Sequence, residues 1–518
     1  MAEELRSPAS NLAGQRERTH TNPARGQVKS GRSVVPESKL IAGRFGRMFR
    51  NLPSYEPSDD VVDLCVNQMA EAPEEQSDNQ QIPAGFTYLG QFIDHDLTFD
   101  PVSSLQRQND PDGLRSFRTP VLDLDALYGL GPDDQPYLYQ KQDSAKLLVG
   151  QGESAEEEDL PRNVDERALI GDPRNDENII VAQLHLAFIK LHNQLVDDIR
   201  AAGANGRPDL RPHVWPTGDI GDSVYVFREA QRLTRWHYQW IVLSEFLPKM
   251  CGQELIGELV EQTPIDGVGT RRKVKQLEYY KPEQEPFIPV EWSVAAYRYG
   301  HSQIRPTYNL NRFLAGANAD IPIFIDDPAT EPLRHLAGGR KLPGRWTLDW
   351  RFFFEQNAPG IPEGERAEAQ KSRLLDSKLA PGLQFLPGMR DQIRSLARRN
   401  LLRGRAMGLP SGQAVARRMS VQPLTSQQLG LEGAEAPLWF YILKEAELAP
   451  NNGVHLGSIG GRIVAEVILG ILKEDPFCFL RTEPAWQPVL PAPISGNQAS
   501  WGMADLLSYA VPNDGRRF

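Results

Sequence analysis

Residues 171–200 read GDPRNDENIIVAQLHLAFIKLHNQLVDDIR. The second part of this stretch decides the fold class. Ile179, Ile180, Leu184, Ala187, Phe188, Leu191, Leu195 and Ile199 recur mostly at three- and four-residue steps. That is the period of an amphipathic helix with one buried face. Asp172-Pro173 stands where a helix start is expected. Asp172, Asp176 and Glu177 are acids of the kind that the positive end of a helix dipole favours.

The same reading extends outward. Val224 to Phe246 forms a second long helical pattern, and Arg462 to Lys473 a third, preceded by the Gly-rich Gly457–Gly461 segment. Alternating strand patterns are few and short, so the class is mainly α with few short strands. Residues 1–40 are polar, rich in Arg, Ser, Gly and Pro, and without periodicity; they read as a flexible N-terminal arm. No boundary divides the remainder, so 41–518 is expected to be one large helical domain. Gly150 to Asp165, with its acidic run Glu156–Asp159, reads as an exposed loop. Glu331 to Gly344 reads as a loop too, and Pro359, Gly360, Pro362 and Gly364 as a turn-rich region.

Composition narrows the classes. The chain has 518 residues, 40% hydrophobic and 24% charged, with a net charge of −11. That is ordinary globular material with enough apolar content for a sizeable core. The acidic balance and the absence of a long basic block argue against nucleic acid as a partner. Cys65, Cys251 and Cys478 are far apart and form no CxxC. They fit a reducing compartment better than a disulfide framework. The first residues carry no apolar h-region. No stretch is expected to reach the ~20 apolar residues that span a bilayer. A cytoplasmic location, or export without a classical signal peptide, is the expectation.

The chemistry begins at Gly90-Gln91-Phe92-Ile93-Asp94-His95-Asp96-Leu97-Thr98. On a helix, Gln91 and His95 share a face, with Cβ atoms about 5–6 Å apart. Asp94 lies near that face and Asp96 points away. Alone, this reads better as a solvated polar turn, with His95 as a cap or a satisfied surface group.

With the rest of the chain, Gln91, Asp94, His95 and Asp96 resemble the distal signature of the animal haem peroxidases. Four further stretches follow in that family's order. Gly171-Asp172-Pro173-Arg174 through Glu177 resembles the segment that carries the distal arginine. Tyr297-Arg298-Tyr299-Gly300-His301 resembles the proximal segment. Asn400-Leu401-Leu402-Arg403 resembles the segment whose asparagine accepts a hydrogen bond from the proximal histidine. Thr119-Pro120-Val121-Leu122-Asp123-Leu124-Asp125 resembles a calcium loop.

The resemblance implies a helical haem peroxidase domain spanning roughly residues 40–480. It implies haem b, held by ester bonds through Asp94 and Glu177. His301 is then the iron ligand, Asn400 its partner, and Arg403, assisted by Arg298, faces a propionate. His95 is the acid–base group, with Arg174 and Gln91 beside it. A neutral imidazole suits that role, which is typically worth ~10²–10⁴-fold. Calcium is assigned Asp96, Thr119, Val121, Asp123 and Asp125, which offer the hard oxygens it takes. The implied reaction reduces hydrogen peroxide through an oxoferryl porphyrin-radical intermediate and oxidises halides, thiocyanate or small aromatic donors.

Two departures narrow that implication. Asn178 follows Glu177 where myeloperoxidase-like enzymes carry a methionine joined to the haem. Chloride oxidation is therefore not expected; bromide, iodide and thiocyanate are. Arg298 stands where oxygenases of this group carry a radical-forming tyrosine, which counts against the enzymatic alternative, a fatty-acid dioxygenase. A non-catalytic haem-binding sensor or carrier is the other alternative; it has no need of Arg174 beside His95. The segment around Arg405-Ala406-Met407 also departs from the family's usual continuation.

Overall fold

The structure, a computed structural model, describes residues 43–70, 77–98, 115–116, 119–205, 221–265, 269–282, 286–314, 319–324, 334–355, 368–386 and 394–511. The arm expected over 1–40, the turn region from Pro359 to Gly364 and residues 331–333 lie outside these.

Helices dominate the described residues. The ones that matter here are α1 (Asp59–Met69), α2 (Gly85–Leu97), α3 (Ile179–Asn205), α4 (Ser223–Ile241), α5 (Leu396–Ala406), α6 (Leu438–Glu447) and α7 (Ser458–Glu474). Strands are short and pair mostly in twos. The longest pair is the hairpin β1 (Val260–Ile265) and β2 (Gly269–Val274), in register from Val260 opposite Val274 to Ile265 opposite Gly269.

The periodic residues of α3 do what their spacing predicts: Ile180, Leu184, Phe188, Leu191 and Leu195 are all fully buried. Phe188 stacks on Phe92 of α2, with centroids 4.9 Å apart, and both meet Tyr238 of α4 edge-on. So α2, the helix bearing His95, is wedged into the α3–α4 pair. α7 is apolar on every side, as a helix inside a core must be: Ile459 to Leu472 is buried except at Arg462. One hydrophobic core runs through these elements.

Four expectations need correction. Gly150–Asp165 is not simply an exposed loop. Gly150–Gln151 pairs with Glu158–Asp159, and Asp159 is 1% exposed. Its carboxylate accepts from Arg162 Nε at 2.9 Å and from the Leu160 and Leu342 amides. An acid in a charged run goes inside when a guanidinium and backbone donors satisfy it. Second, Ser458–Gly461 belongs to the first turn of α7 rather than preceding it. The Glu445 carboxylate of α6 accepts the Ile459 and Gly460 N–H groups, satisfying donors that a helix start leaves open. Third, the helix over Val224–Phe246 ends regularly at Ile241 and passes through a π turn at Val242–Phe246. Fourth, Ile179–Ala201 is long and apolar enough to cross a bilayer, with mean hydropathy 1.3. Its apolarity is accounted for by the core, since 83% of that window is buried within the protein.

The segment after Arg334 locks the start of α3. Gly338 and Gly339 donate to the Glu177 and Asp176 carbonyls, and Ile179 donates to Leu336. A Cβ on Gly338 would lie 2.0 Å from the Asp176 carbonyl oxygen, so glycine is required there. The turn Pro173–Asp176 is thereby clamped against the end of α2.

Candidate active site

α2 presents Gln91, Asp94 and His95 to one cavity of about 490 Å³. Arg174, Glu177 and Asn178 reach it from the turn before α3. Arg298 and His301 reach it from the 3-10 turn Ala296–His301. Five of the expected site residues, Gln91, Asp94, His95, Arg174 and Glu177, therefore meet the two expected proximal ones, Arg298 and His301, across a single space, and Asn178 joins them. The size falls within the about 300–1,000 Å³ of small-molecule and cofactor sites.

His95 is 4% exposed. Its Nδ1 lies 2.8 Å from Asn175 Oδ1. An amide oxygen only accepts, so the proton sits on Nδ1 and the lone pair on Nε2. Asn175 is held in that sense because its Nδ2 lies 3.0 Å from His185 Nδ1. All three members of this chain are buried. Burial, and then the Arg174 charge, pushes the His95 imidazole down to about 4, so the ring is neutral at pH 7.

Arg174 is fixed from two sides. Asp172, fully buried, caps the turn by accepting the Arg174 N–H at 2.9 Å. The same carboxylate takes Nη2 at 2.8 Å and Nε at 3.2 Å. Nη2 also donates to the His95 carbonyl at 3.1 Å and to the Thr98 carbonyl. The cation and the imidazole are thus tied to the same last turn of α2. A dipole role for Asp172 and Asp176 is too small an account. Asp172 orients Arg174, and Asp176 makes two bonds to Arg162, at 2.6 and 2.8 Å.

Burial raises the Glu177 carboxyl to about 6. Gln91 donates to it from Nε2 at 3.4 Å, and Asn178 donates to Gln91 Oε1 at 3.0 Å. Asp94 lines the cavity with its neighbour Thr98 donating to Oδ1 at 3.2 Å.

On the opposite wall the Asn400–His301 contact exists, at 3.0 Å, but with its polarity reversed from the expectation. Asn400 Nδ2 faces His301 Nδ1, because Arg298 Nη1 takes the amide oxygen at 3.1 Å. A guanidinium is the stronger donor and wins the acceptor. Burial, then the charges of Arg298 and Arg399, pushes the His301 imidazole down to about 3. Arg403 stands on the last turn of α5, outside the cavity lining and close enough for its charge to bear on Arg298.

The expected metal loop also comes together. Oxygens of Asp96, Asp123 and Asp125 lie within 4.8 Å of one another. Thr119 Oγ1 is 3.4 Å from Asp123 Oδ2, and the Val121 N–H bonds the Thr119 carbonyl at 2.8 Å. Arg235, partly buried beside them, donates from Nε to the Asp123 carbonyl at 2.7 Å. Three carboxylates this close repel when ionised unless a cation joins them. The donor set, hard oxygens with two carboxylates from one loop and one from α2, fits a divalent ion of the calcium type.

A haem fits the cavity by the same reasoning. Two histidines, two carboxylates and two arginines face one space of suitable size, and apolar walls come from Ile323, Phe324 and Leu336. One adjustment is needed. For His301 to offer its Nε2 lone pair, its proton must move to Nδ1 and the Asn400 amide must turn to present oxygen, releasing Arg298.

Sequence reading missed Asn175, His185 and Arg235, and gave Asp172 the wrong task. No spacing rule marks Asn175; its one signal is adjacency to Arg174.

Residues 110–429 match the model of the animal haem peroxidase family. That span holds Arg174, His301 and Asn400 and leaves out the Gln91–Asp96 stretch. The chain is 30% identical to the chorion peroxidase of Aedes aegypti over 166 residues, which is 32% of this chain and 18% of that protein. It is 24% identical to mouse thyroid peroxidase over 337 residues, 61% of this chain and 31% of that protein. The aligned part thus spans less than a third of these relatives' length. Peroxidase A of Dictyostelium discoideum shares the fold with a TM-score of 0.57 at 15% identity, covering 84% of this chain and 87% of that one. A fatty acid alpha-dioxygenase of Oryza sativa does so equally, with a TM-score of 0.57 at 15% identity, covering 98% and 91%. Such likeness is of fold and does not choose between the two activities.

Proposed function

The chain belongs to the animal haem peroxidase family, and from that premise we propose that it reduces hydrogen peroxide and oxidises bromide, iodide, thiocyanate or small aromatic donors. One observation carries the reading: His95, with its Nε2 lone pair left to the cavity, and His301 line the same space, with Arg174 held beside His95. Haem b, when bound, supplies the iron redox chemistry. His301 would hold it from one side, and Asp94 and Glu177 have the chemistry to attach it as esters.

The chain's own residues then divide the work. His95 Nε2 accepts the proton of incoming peroxide; a ring that is neutral at pH 7 has the lone pair to do so. The same nitrogen returns the proton to the departing oxygen. Arg174 is a fixed positive charge, aligned by Asp172 before substrate arrives, and so costs little reorganisation when negative charge develops. Gln91, held between Glu177 and Asn178 and four residues before His95 on the same helix, offers a polar contact for a small anionic donor. Calcium at Asp96, Asp123 and Asp125 would tie the end of α2 to the Thr119–Asp125 loop and so hold the His95 ring in place.

The test uses the haem-loaded protein. His95→Ala should retain haem and lose peroxide-dependent oxidation of iodide and aromatic donors. Unchanged turnover would sink the assignment. A second reading, fatty-acid dioxygenation, draws on the shared fold. It is opposed by Arg298, which fills the position where the radical tyrosine is expected and is engaged with Asn400. Oxygen uptake with a fatty acid, and none of the halide activity, would favour it.

A further inference from the structure

Sharing no lining residue with this cavity, a cleft of about 360 Å³ lies between β2, the C-terminal end of α7 and the short helix Phe479–Thr482. Arg271, Arg272 and Lys273 line it from β2, Lys473 from α7 and Arg481 from the short helix. Glu474 is the one carboxylate residue on its wall. Acids outnumber bases in this chain, 68 to 57, so cations should find carboxylates easily. Elsewhere they do: Arg162 with Asp159 and Asp176, Arg200 with Asp143, Arg462 with Glu258. Among the described residues, none of the five cleft cations is ion-paired.

Part of this has a structural explanation. Lys473 Nζ donates to the Lys275 carbonyl at 3.1 Å and Arg481 Nη1 to the Glu474 carbonyl at 3.3 Å, which suits cations near a helix C-terminus. Lys273 sits opposite Glu261 across the hairpin, and exposed cations on a two-stranded edge discourage further pairing. Arg272 is not explained this way. It is 8% exposed and lies over the Trp240 ring at 4.1 Å. Its hydrogen-bond partner on the side chain is the Thr270 carbonyl, at 3.4 Å. A guanidinium buried this far is costly without an anion to complete it. The buried aromatic floor below it, Trp240 with Trp486 and Phe479, is a low-dielectric wall that concentrates the field of the surrounding cations.

We infer that this cleft binds a soluble small molecule bearing a multiply charged phosphate or polyphosphate group. Arginines match phosphate oxygens in geometry, and lysines at the rim supply further charge. The cleft has small-molecule dimensions. The inference is independent of the peroxidase reading, because no residue of the cavity takes part.

The test is calorimetric titration of the haem-loaded protein at low ionic strength. Inorganic tripolyphosphate, a nucleoside triphosphate, sulfate at matched ionic strength, and vesicles of anionic phospholipid form the four arms. Saturable one-to-one binding of tripolyphosphate is expected, with sulfate at least about tenfold weaker. The exposed pair Arg271→Gln/Lys273→Gln, combined with Arg481→Gln, should weaken it about tenfold or more per charge-assisted bond lost, with the circular dichroism unchanged. Arg272→Gln should do the same if it folds; the rim variant serves if it does not. No saturable binding, equal binding of sulfate, or full binding by the folded rim variant overturns the site. Binding to vesicles without binding to free tripolyphosphate overturns the soluble ligand class.

Discussion

Replacing Asn175 with Leu tests whether the tautomer of His95 is built into the fold. The wild-type chain His95–Asn175–His185 has one self-consistent proton arrangement with the amide as it stands: Nδ1–H on His95, and a bare Nδ1 on His185. Turning the amide reverses both rings and puts the His95 proton on Nε2, where it blocks the lone pair. A neutral hydrogen bond is worth about 0.5–1.5 kcal/mol net, which biases the tautomer about two- to tenfold. Leucine fills similar space but removes both bonds and leaves two buried imidazole nitrogens to be desolvated, at about 1–3 kcal/mol each. The folded protein should therefore lose roughly 2–6 kcal/mol of stability. Its rate constant for reaction with peroxide should fall about two- to tenfold, the size of that bias, which is less than the ~10²–10⁴-fold that acid–base action contributes as a whole. Asn175→Asp keeps an acceptor for His95 and should restore most of that rate. Stopped-flow mixing with peroxide gives the rate, and ¹⁵N shifts of labelled histidines in the metal-free protein give the tautomer directly. If Asn175→Leu binds haem and reacts at the wild-type rate, or if wild-type His95 is protonated on Nε2, the positioning role is refuted.

Three further outcomes follow from the contacts. Asp172→Ala removes a fully buried carboxylate that Arg174 meets through its backbone N–H, Nε and Nη2; breaking such a pair costs about 3–5 kcal/mol. Chemical denaturation should register that loss, and the peroxide rate should fall with it while donor affinity stays unchanged. Removing divalent cations with a chelator should lower the melting temperature of the wild type, whereas Asp123→Asn, which weakens the Asp96–Asp123–Asp125 cluster, should start lower and respond little; equal responses would remove the metal from that loop. Burial, with Glu447 adding to it, holds the Asp376 carboxyl up at about 6. Folding therefore favours the protonated acid: its contribution is fully present below the unfolded value of about 3.9 and is lost as pH rises through about 6. Asp376→Asn should flatten stability between about pH 4 and 6 and raise it at pH 8 by up to roughly 3 kcal/mol; an unchanged slope would place the titration elsewhere.

How far the sequence reaches depends on the range of the interaction. The α3 helix was legible because burial repeats along one face, and its apolar residues land in the core as their spacing requires. Gln91, Asp94 and His95 were legible as a set because helical spacing is local. The meeting of His95 with His301 was legible only through the order of motifs, since the two lie on segments 206 residues apart. Asp159 was misread because charge in a run says nothing about a guanidinium waiting three residues later in the folded chain. The basic run Gly269 to Val274 passed unnoticed, because its meaning comes from α7 and the Phe479–Thr482 helix beside it.

Asn175 and Asn400 show the limit most clearly, because they pose the same question with different answers available. Each amide stands between an imidazole and a second polar partner. At Asn175 that partner is His185, which can accept or donate as its tautomer allows, so the amide is free to give its oxygen to His95. At Asn400 the partner is Arg298, which can only donate, so the oxygen goes to the arginine and His301 receives the N–H side. Composition and spacing list an asparagine in both places. What distinguishes them is whether the third group is amphoteric. It follows that loading a metal on His301 requires Arg298 to find another acceptor, and a haem carboxylate is the kind of group that would supply one. Arg298→Leu separates the two effects. It frees the Asn400 oxygen for His301, yet removes the cation that a propionate would meet. Haem affinity measured by titration of the metal-free protein should fall if the second effect dominates, as the charge-assisted bond, worth about 1.5–3 kcal/mol, exceeds the neutral one, worth about 1 kcal/mol. A rise in affinity would mean that the Arg298–Asn400 bond is the larger obstacle, and that Arg298 does not face the carboxylate at all.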